Sequence, residues 1–106
     1  MNEITIEFLR TLCKNKAIRW TTHALARMQE RGINPSDVKN CILSGEIIEQ
    51  YPNDFPYPSY LILGLSTIKE ALHVLIGASN DFIWIITAYY PDAEQWEADC
   101  KTRKEK

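Results

Sequence analysis

The spacing of apolar residues divides the chain into a helical first half and a β-rich second half. From Ile4 to about Asn15, the residues Phe8, Leu9, Leu12 and Cys13 form one stripe, with Glu7, Arg10, Thr11 and Lys14 mostly away from it. Such a one-sided stripe predicts an amphipathic helix. Ala17–Thr21 reads as a short extended segment leading to an N-cap at Thr21 or Thr22.

Thr22–Gly45 predicts two more helices with a break between them. At about 100° per residue, Ala24, Leu25 and Met28 share one side of the first, and His23, Arg27, Glu30 and Arg31 share the other. Gly32 suits the left-handed residue that closes a helix. Asn34 then caps the next helix, with Pro35 at its first position and Asp37 in its first turn. Val38, Cys41 and Ile42 make its inward face, and Gly45 stops it.

Beyond Gly45 the helical period gives way to strands. Glu46–Tyr51 reads as a short edge strand, and Pro52–Pro58, with three prolines, as a stiff loop. Ser59–Leu65, Ala71–Ala78 and Phe82–Tyr90 follow as strands joined by turns at Thr67–Glu70 and Ser79–Asp81. Phe82–Tyr90 is the most β-prone run, so it is expected at the centre of the sheet with Trp84 and Ile86 buried. After Pro91, Asp92 and Gln95 form a capping box for a last helix that turns Ala93, Trp96 and Cys100 inward, and the charged tail Lys101–Lys106 frays. The expected fold is α+β: one domain over residues 1–106, with an antiparallel sheet of about four strands, three N-terminal helices and a C-terminal helix.

Composition narrows the class. Hydrophobic content of 45% and charged content of 25% are ordinary for a globular domain. No apolar run reaches the roughly 18 residues that a membrane span needs. The acidic start M-N-E-I-T-I-E argues against a secretory signal, so a cytoplasmic location without membrane contact is expected. Cys13, Cys41 and Cys100 are odd in number and far apart, which fits buried thiols better than a disulfide framework or a zinc site. A net charge of −2 and a pI near 5.6 disfavour a broad nucleic-acid-binding field but leave room for a local basic site.

The helix face carrying His23, Arg27 and Arg31 can be read in two ways. Glu30 lies at i, i+3 from Arg27, which makes a solvated, ion-paired face. The same residues also suit phosphate binding, since guanidinium forks match phosphate oxygens and imidazole moves protons near neutral pH. The H-E-x-x-H zinc-protease spacing is missing. His73, within an apolar strand, is either a satisfied sheet residue or a reactive one. Thr87, Tyr89 and Tyr90 mark a strand end that turns polar. There is no glycine-rich phosphate loop, no G-x-S-x-G and no carboxylate cluster for two metals. Metal-independent chemistry at a phosphodiester is the enzyme class that His, Arg and Tyr match best.

The phrases H-A-L-A-R-M-Q-E-R-G-I-N-P-S-D-V, G-E-I-I-E-Q-Y-P-N-D-F-P-Y-P-S, L-I-L-G, L-H-V-L and I-I-T-A-Y-Y-P-D-A-E-Q-W resemble a bacterial family of small proteins classed as a domain of unknown function. That family resembles the RelE/ParE superfamily of type II toxins, and most closely the BrnT-like toxins. The resemblance covers about Thr22–Arg103. It implies a compact antiparallel sheet packed with helices, and a ribonuclease that cleaves messenger RNA without metal or other cofactor. It also implies partners: RNA, with or without the ribosome, and a co-encoded antitoxin protein. Carried onto this chain, catalysis falls to His23, Arg27, His73 and Tyr89, and RNA contact to Arg31, Thr87 and Arg103. BrnT-like proteins tend to carry arginine where this strand has Tyr89. A different function within the same resemblance is a non-catalytic module that inhibits a protein target such as DNA gyrase. Because no metal-ligand cluster is legible, exhaustive chelation should leave the thermal unfolding curve unchanged, a result that circular dichroism with and without chelator checks.

Overall fold

Hydroxyl and amide caps set the breaks in the N-terminal half. The computed structural model describes residues 4–104. Helix α1, Ile6–Lys14, begins where Thr5 Oγ1 accepts a hydrogen bond from the Phe8 amide at 3.1 Å. Helix α2, Thr22–Glu30, is capped in the same way by Thr21 and ends before Gly32, whose φ of 69° is left-handed. Helix α3, Pro35–Ser44, opens with a reciprocal capping box between Asn34 and Asp37. The acidic start at Met1–Glu3 and the tail residues Glu105 and Lys106 lie outside the described residues.

The strands are β1 (Ile18–Trp20), β2 (Glu46–Tyr51), β3 (Ser59–Leu65), β4 (Ala71–Ala78) and β5 (Ile83–Tyr89). They form one five-stranded sheet in the order β1-β5-β4-β3-β2. The sheet therefore has one strand more than expected. The extra strand, β1, runs parallel to β5, while the remaining pairs are antiparallel. Three residues suffice because the Ile83 amide donates to the Ala17 carbonyl at 2.8 Å, and Ile18 and Trp20 pack against the core. β5 lies inside the sheet, between β1 and β4, but the middle strand of the five is β4 and not β5.

All three helices cover one face of the sheet. Ile62, Leu72, Val74, Ile76, Ile83 and Ile85 form its floor, closed over by Leu9, Met28, Val38 and Ile42. On β5 the buried residues are thus Ile83 and Ile85, whereas Trp84 and Ile86 are only half-buried on the side away from the helices or at a bulge. A large aromatic ring fits the more open face, and the helices leave room only for aliphatic side chains over β5.

Instead of the expected C-terminal helix, residues 92–104 form an irregular strap. Gln95 and Trp96 amides both turn back to the Asp92 carbonyl, after which the chain reverses and Trp96 pairs with Arg103. Asp99 holds the reversal by accepting from the Lys101 and Thr102 amides, and Cys100 adopts a φ of 60°. Tertiary packing overrides the capping signal here: Trp96 is buried against the sheet, while Ala93 is exposed and Cys100 half-buried. The described part of the tail is tied down rather than frayed, with Lys101 on Glu46 at 3.0 Å and Arg103 on Glu49 at 2.8 Å.

Helix α3 meets β3 with almost no gap. A Cβ built on Gly64 would lie 2.1 Å from the Cys41 carbonyl oxygen of α3, and one on Gly45, at the end of α3, would lie 2.5 Å from the Leu63 carbonyl oxygen of β3. The Cys41 thiol sits 3.3 Å from the Leu72 carbonyl, and burial pushes its pKa up to about 12, as expected of an inert core thiol. Gly64→Ala should therefore cost about 3 kcal/mol or more, since helix and strand backbones would both have to move. Gly32→Ala, which meets only backbone strain, should cost about 1 kcal/mol. Urea midpoints of the two variants test this ordering.

Candidate functional site

The sheet face turned away from the helices is where polar and aromatic side chains gather, and two β-bulges decide which residues reach it. In β2 the register shifts between Ile47 and Glu49, so Glu46 and Glu49 share a face. In β5 the register shifts against Leu75 and Ile76, so Ile85 and Thr87 fall on opposite faces although they are two residues apart. Without these shifts Glu49 and Tyr89 would point into the helical core. With them, Glu49, Tyr51, His73 and Tyr89 all stand on the open face. Bulges next to functional groups commonly re-aim a side chain in this way.

His73 anchors the first cluster and is fully buried. Its Nε2 donates to the Cys100 carbonyl at 2.7 Å, which leaves Nδ1 to accept from the Tyr89 hydroxyl at 3.3 Å. Trp96 and Tyr89 meet the imidazole edge-to-face, with centroids 4.5 and 5.2 Å away. Burial pushes the His73 pKa below its ordinary value, opposed by the Cys100 carbonyl and by Glu49. The ring is therefore held neutral and satisfied at both nitrogens. Beside it, Arg103 grips Glu49 through Nε and Nη2 at 2.8 and 2.9 Å and lies over the Trp96 ring at 4.5 Å. Tyr51 donates a short hydrogen bond to the same carboxylate. The Arg103 hydrogen bonds hold the Glu49 carboxyl below its usual range, against the opposing effect of burial. A cavity of about 300 Å³ opens beside this cluster, bordered by Pro91, Trp96, Cys100 and Lys104.

The second cluster sits at the other end of the same face. Trp84 lies over Gly77, stacked beside Phe82 at 5.8 Å and met edge-on by Tyr57 at 4.7 Å. The Arg19 guanidinium lies 4.1 Å above the Phe82 ring.

The residues expected on α2 lie elsewhere. His23 is exposed and makes no hydrogen bond among the described residues. Arg27 pairs with Glu30 at 3.3 Å on the surface, as the solvated-face reading has it. Arg31 is the residue after the helix, and its Nη1 reaches β5, donating to Thr87 Oγ1 at 3.1 Å and to the Ala88 carbonyl at 2.9 Å. Arg31 thus ties α2 to the part of the β5 edge that β1 does not cover. The structure therefore joins His73 with Tyr89, and Arg31 with Thr87. It does not join either pair with His23 and Arg27, since α2 packs on the helical face and His73 lies on the opposite one. Arg103 belongs to the His73 cluster through Trp96 and Glu49.

Sequence reasoning missed Glu49 and Tyr51, whose facing depends on a one-residue bulge that alternation does not reveal. It also missed Arg19 with its aromatic neighbours, although a signal was present. Phe8–Gln29 contains Arg10, Lys14, Lys16, Arg19 and Arg27 and no carboxylate. Among the described residues no three His, Cys, Asp or Glu side chains gather to hold a metal ion, and no helix is long and apolar enough to cross a membrane.

The architecture defines a small mixed α/β protein whose helices close one face of a five-stranded sheet and whose other face carries the polar and aromatic groups. The profile of a domain of unknown function, DUF4258, matches residues 20–90, and the chain belongs to that family. The match spans α2 to β5 and carries no link to RelE/ParE or BrnT-like toxins. No curated protein and no solved structure matches the chain.

The His73 environment has a pH signature. A histidine whose folded pKa is depressed contributes stability that is fully present above its unfolded value and is lost as pH falls toward the folded one. Thermal stability should therefore hold above about pH 6.5 and decline below it, before the carboxylates titrate. In His73→Gln that first decline should vanish, which a melting series across pH would show.

Proposed function

We propose that this protein acts on RNA as a toxin-type, metal-independent ribonuclease of RelE/ParE character, held in check by a co-encoded antitoxin protein. The observation that carries this reading is His23: an exposed imidazole with no hydrogen bond among the described residues, one turn before Arg27, within a chain segment that has five cations and no carboxylate. Histidine and arginine on one exposed helix face supply a proton acceptor and a phosphate contact. In the proposed step the 2′-hydroxyl loses its proton to His23 as its oxygen bonds to phosphorus. The bond to the 5′-oxygen breaks, that oxygen takes up a proton, and a cyclic phosphate remains. Arg27, released from Glu30, balances the charge on the phosphate oxygens. His73 and Tyr89 enter this reading as supports of the sheet, because both His73 ring nitrogens are already engaged.

One observation favours a second reading, a non-catalytic module that inhibits a protein target such as DNA gyrase. His23 with Arg27 and His73 with Tyr89 occupy opposite sides of the sheet, so neither His73 nor Tyr89 stands beside His23 as a second proton donor. Inducing the wild-type and His23→Ala chains in bacteria separates the two readings. Cleavage of RNA by the purified His23→Ala protein should be roughly 100-fold slower or worse, with the fold unchanged. Growth arrest that persists in His23→Ala while RNA stays intact would establish the second reading instead.

A further inference from the structure

We propose that Trp84, Phe82 and Tyr57, with Arg19, form a stacking platform for the bases of single-stranded RNA on the open face of the sheet. The proposal deepens the ribonuclease reading by naming the substrate's form and where it lies. Its first support is geometric. The Phe82 and Trp84 rings are inclined by only 18° with centroids 5.8 Å apart, and Tyr57 meets both edge-on, at 83° to Phe82 and 80° to Trp84. All three side chains are half-exposed, as ligand-facing rings have to be. The absence of a Cβ at Gly77 lets Trp84 lie flat, with ring atoms from 3.4 Å of the position that a Cβ would take. The Arg19 guanidinium over Phe82 offers a further planar cation on which a base or a phosphate can rest.

The second support is electrostatic and independent of the first. β1 carries Arg19 and follows directly on Lys14 and Lys16, all three exposed, at the sheet edge beside the platform. No carboxylate occurs between Glu7 and Glu30, so this edge is cationic although the whole chain is acidic. Asp54 and Asp81 are exposed in the turns that flank the rings, Asp81 two residues before Ile83, whose amide meets Ala17, so the three cations at β1 stand against one carboxylate there. A cationic edge beside flat aromatic faces is the chemistry of single-strand recognition: phosphates track the charge and unstacked bases lie on the rings. β1 leads through Trp20 and Thr21 into α2 on the helical side of the sheet, so a strand seated on the platform has to pass round the β1 edge to reach His23 and Arg27. A duplex, whose bases are already stacked, gains nothing from the rings.

The test is titration of the full-length protein into a fluorescein-labelled single-stranded RNA and into its duplex, followed by anisotropy. The wild type should bind the single strand more tightly than the duplex. Trp84→Ala should weaken single-strand binding roughly tenfold or more. Trp84→Phe, which keeps a π-face, should restore most of the affinity. Arg19→Gln should weaken binding and make its salt dependence shallower. Circular dichroism reports whether each variant is folded, and Phe82→Ala serves should Trp84→Ala fail to fold. Undiminished binding by folded Trp84→Ala or Phe82→Ala, or equal affinity for the duplex, overturns the platform. So does self-association of the wild type that these substitutions abolish, since the face would then be an interface between copies. RNA binding that depends on Trp84 without any RNA cleavage leaves the platform standing and refutes the nuclease reading alone. Cleavage that is indifferent to Trp84, Phe82 and Arg19 does the reverse.

Discussion

Helix α3 rests directly on the backbone of β3, and the remaining architecture follows from that contact. With Gly64 of β3 against the Cys41 carbonyl and Gly45 at the helix end against the Leu63 carbonyl, no side chain separates helix from strand. That proximity lets Asn40 donate to the carbonyls of Leu65 and Ser66, and lets Ser44 accept from the Leu65 amide. At the start of α3, Asp37 is buried yet held below its usual pKa: burial opposes ionisation, but the hydroxyl and amide of Thr67 and the Asn34 amide outweigh it. The turn between β3 and β4 is therefore fixed to the helix by hydrogen bonds along the helix's length. One face of the sheet is thereby committed to helices. Everything that cannot enter a dry aliphatic core has to appear on the other face.

That division explains which features of the fold were legible. Helix starts were, because caps are local: Thr21, Asn34 and Pro35 state their roles within three or four residues. The second-half strands were legible for the same reason, since turns flank each apolar run. The two errors of element type both involve partners distant in sequence. β1 is a strand only because β5, more than sixty residues away, supplies its pairing edge. The segment after Pro91 carries a fair helical signal, but Trp96 gains more from the His73 ring and from Arg103 than a short exposed helix would return.

The candidate site was legible in the same uneven way. That β4 and β5 are neighbours was legible from the short turn between them, but the pairing of His73 with Tyr89 needs the β5 bulge, because alternation alone would turn Tyr89 toward the helices with Ile83 and Ile85. That Arg31 would reach Thr87 was not legible, because a long side chain beyond a helix terminus can find any acceptor within its span. The burial of His73 could not be read either: it depends on the strap, whose course is set by Glu46 and Glu49 on β2 as much as by its own residues. A histidine that looks reactive within a strand becomes a structural acceptor and donor once a carbonyl and a hydroxyl occupy both nitrogens.

Whole-chain charge says little about any one surface, and the reason is physical. Screening confines an exposed charge's influence to about 8–10 Å at ordinary ionic strength, so a ligand senses the charges near its path and not the total. The total here is −2 because acids dominate from Glu30 onward, while the stretch from Phe8 to Gln29 contains none. The fold keeps part of that segregation in space: β1 is an outer strand of the sheet, paired with β5, and α2 packs on the same β5. The acids of β2 at the opposite edge are partly neutralised by Lys101 and Arg103 from the strap. The exposed Lys14, Lys16 and Arg19 stand at or beside β1, across the whole sheet from the acids of β2. This local field, rather than the pI, is the quantity that bears on whether the open face can receive RNA.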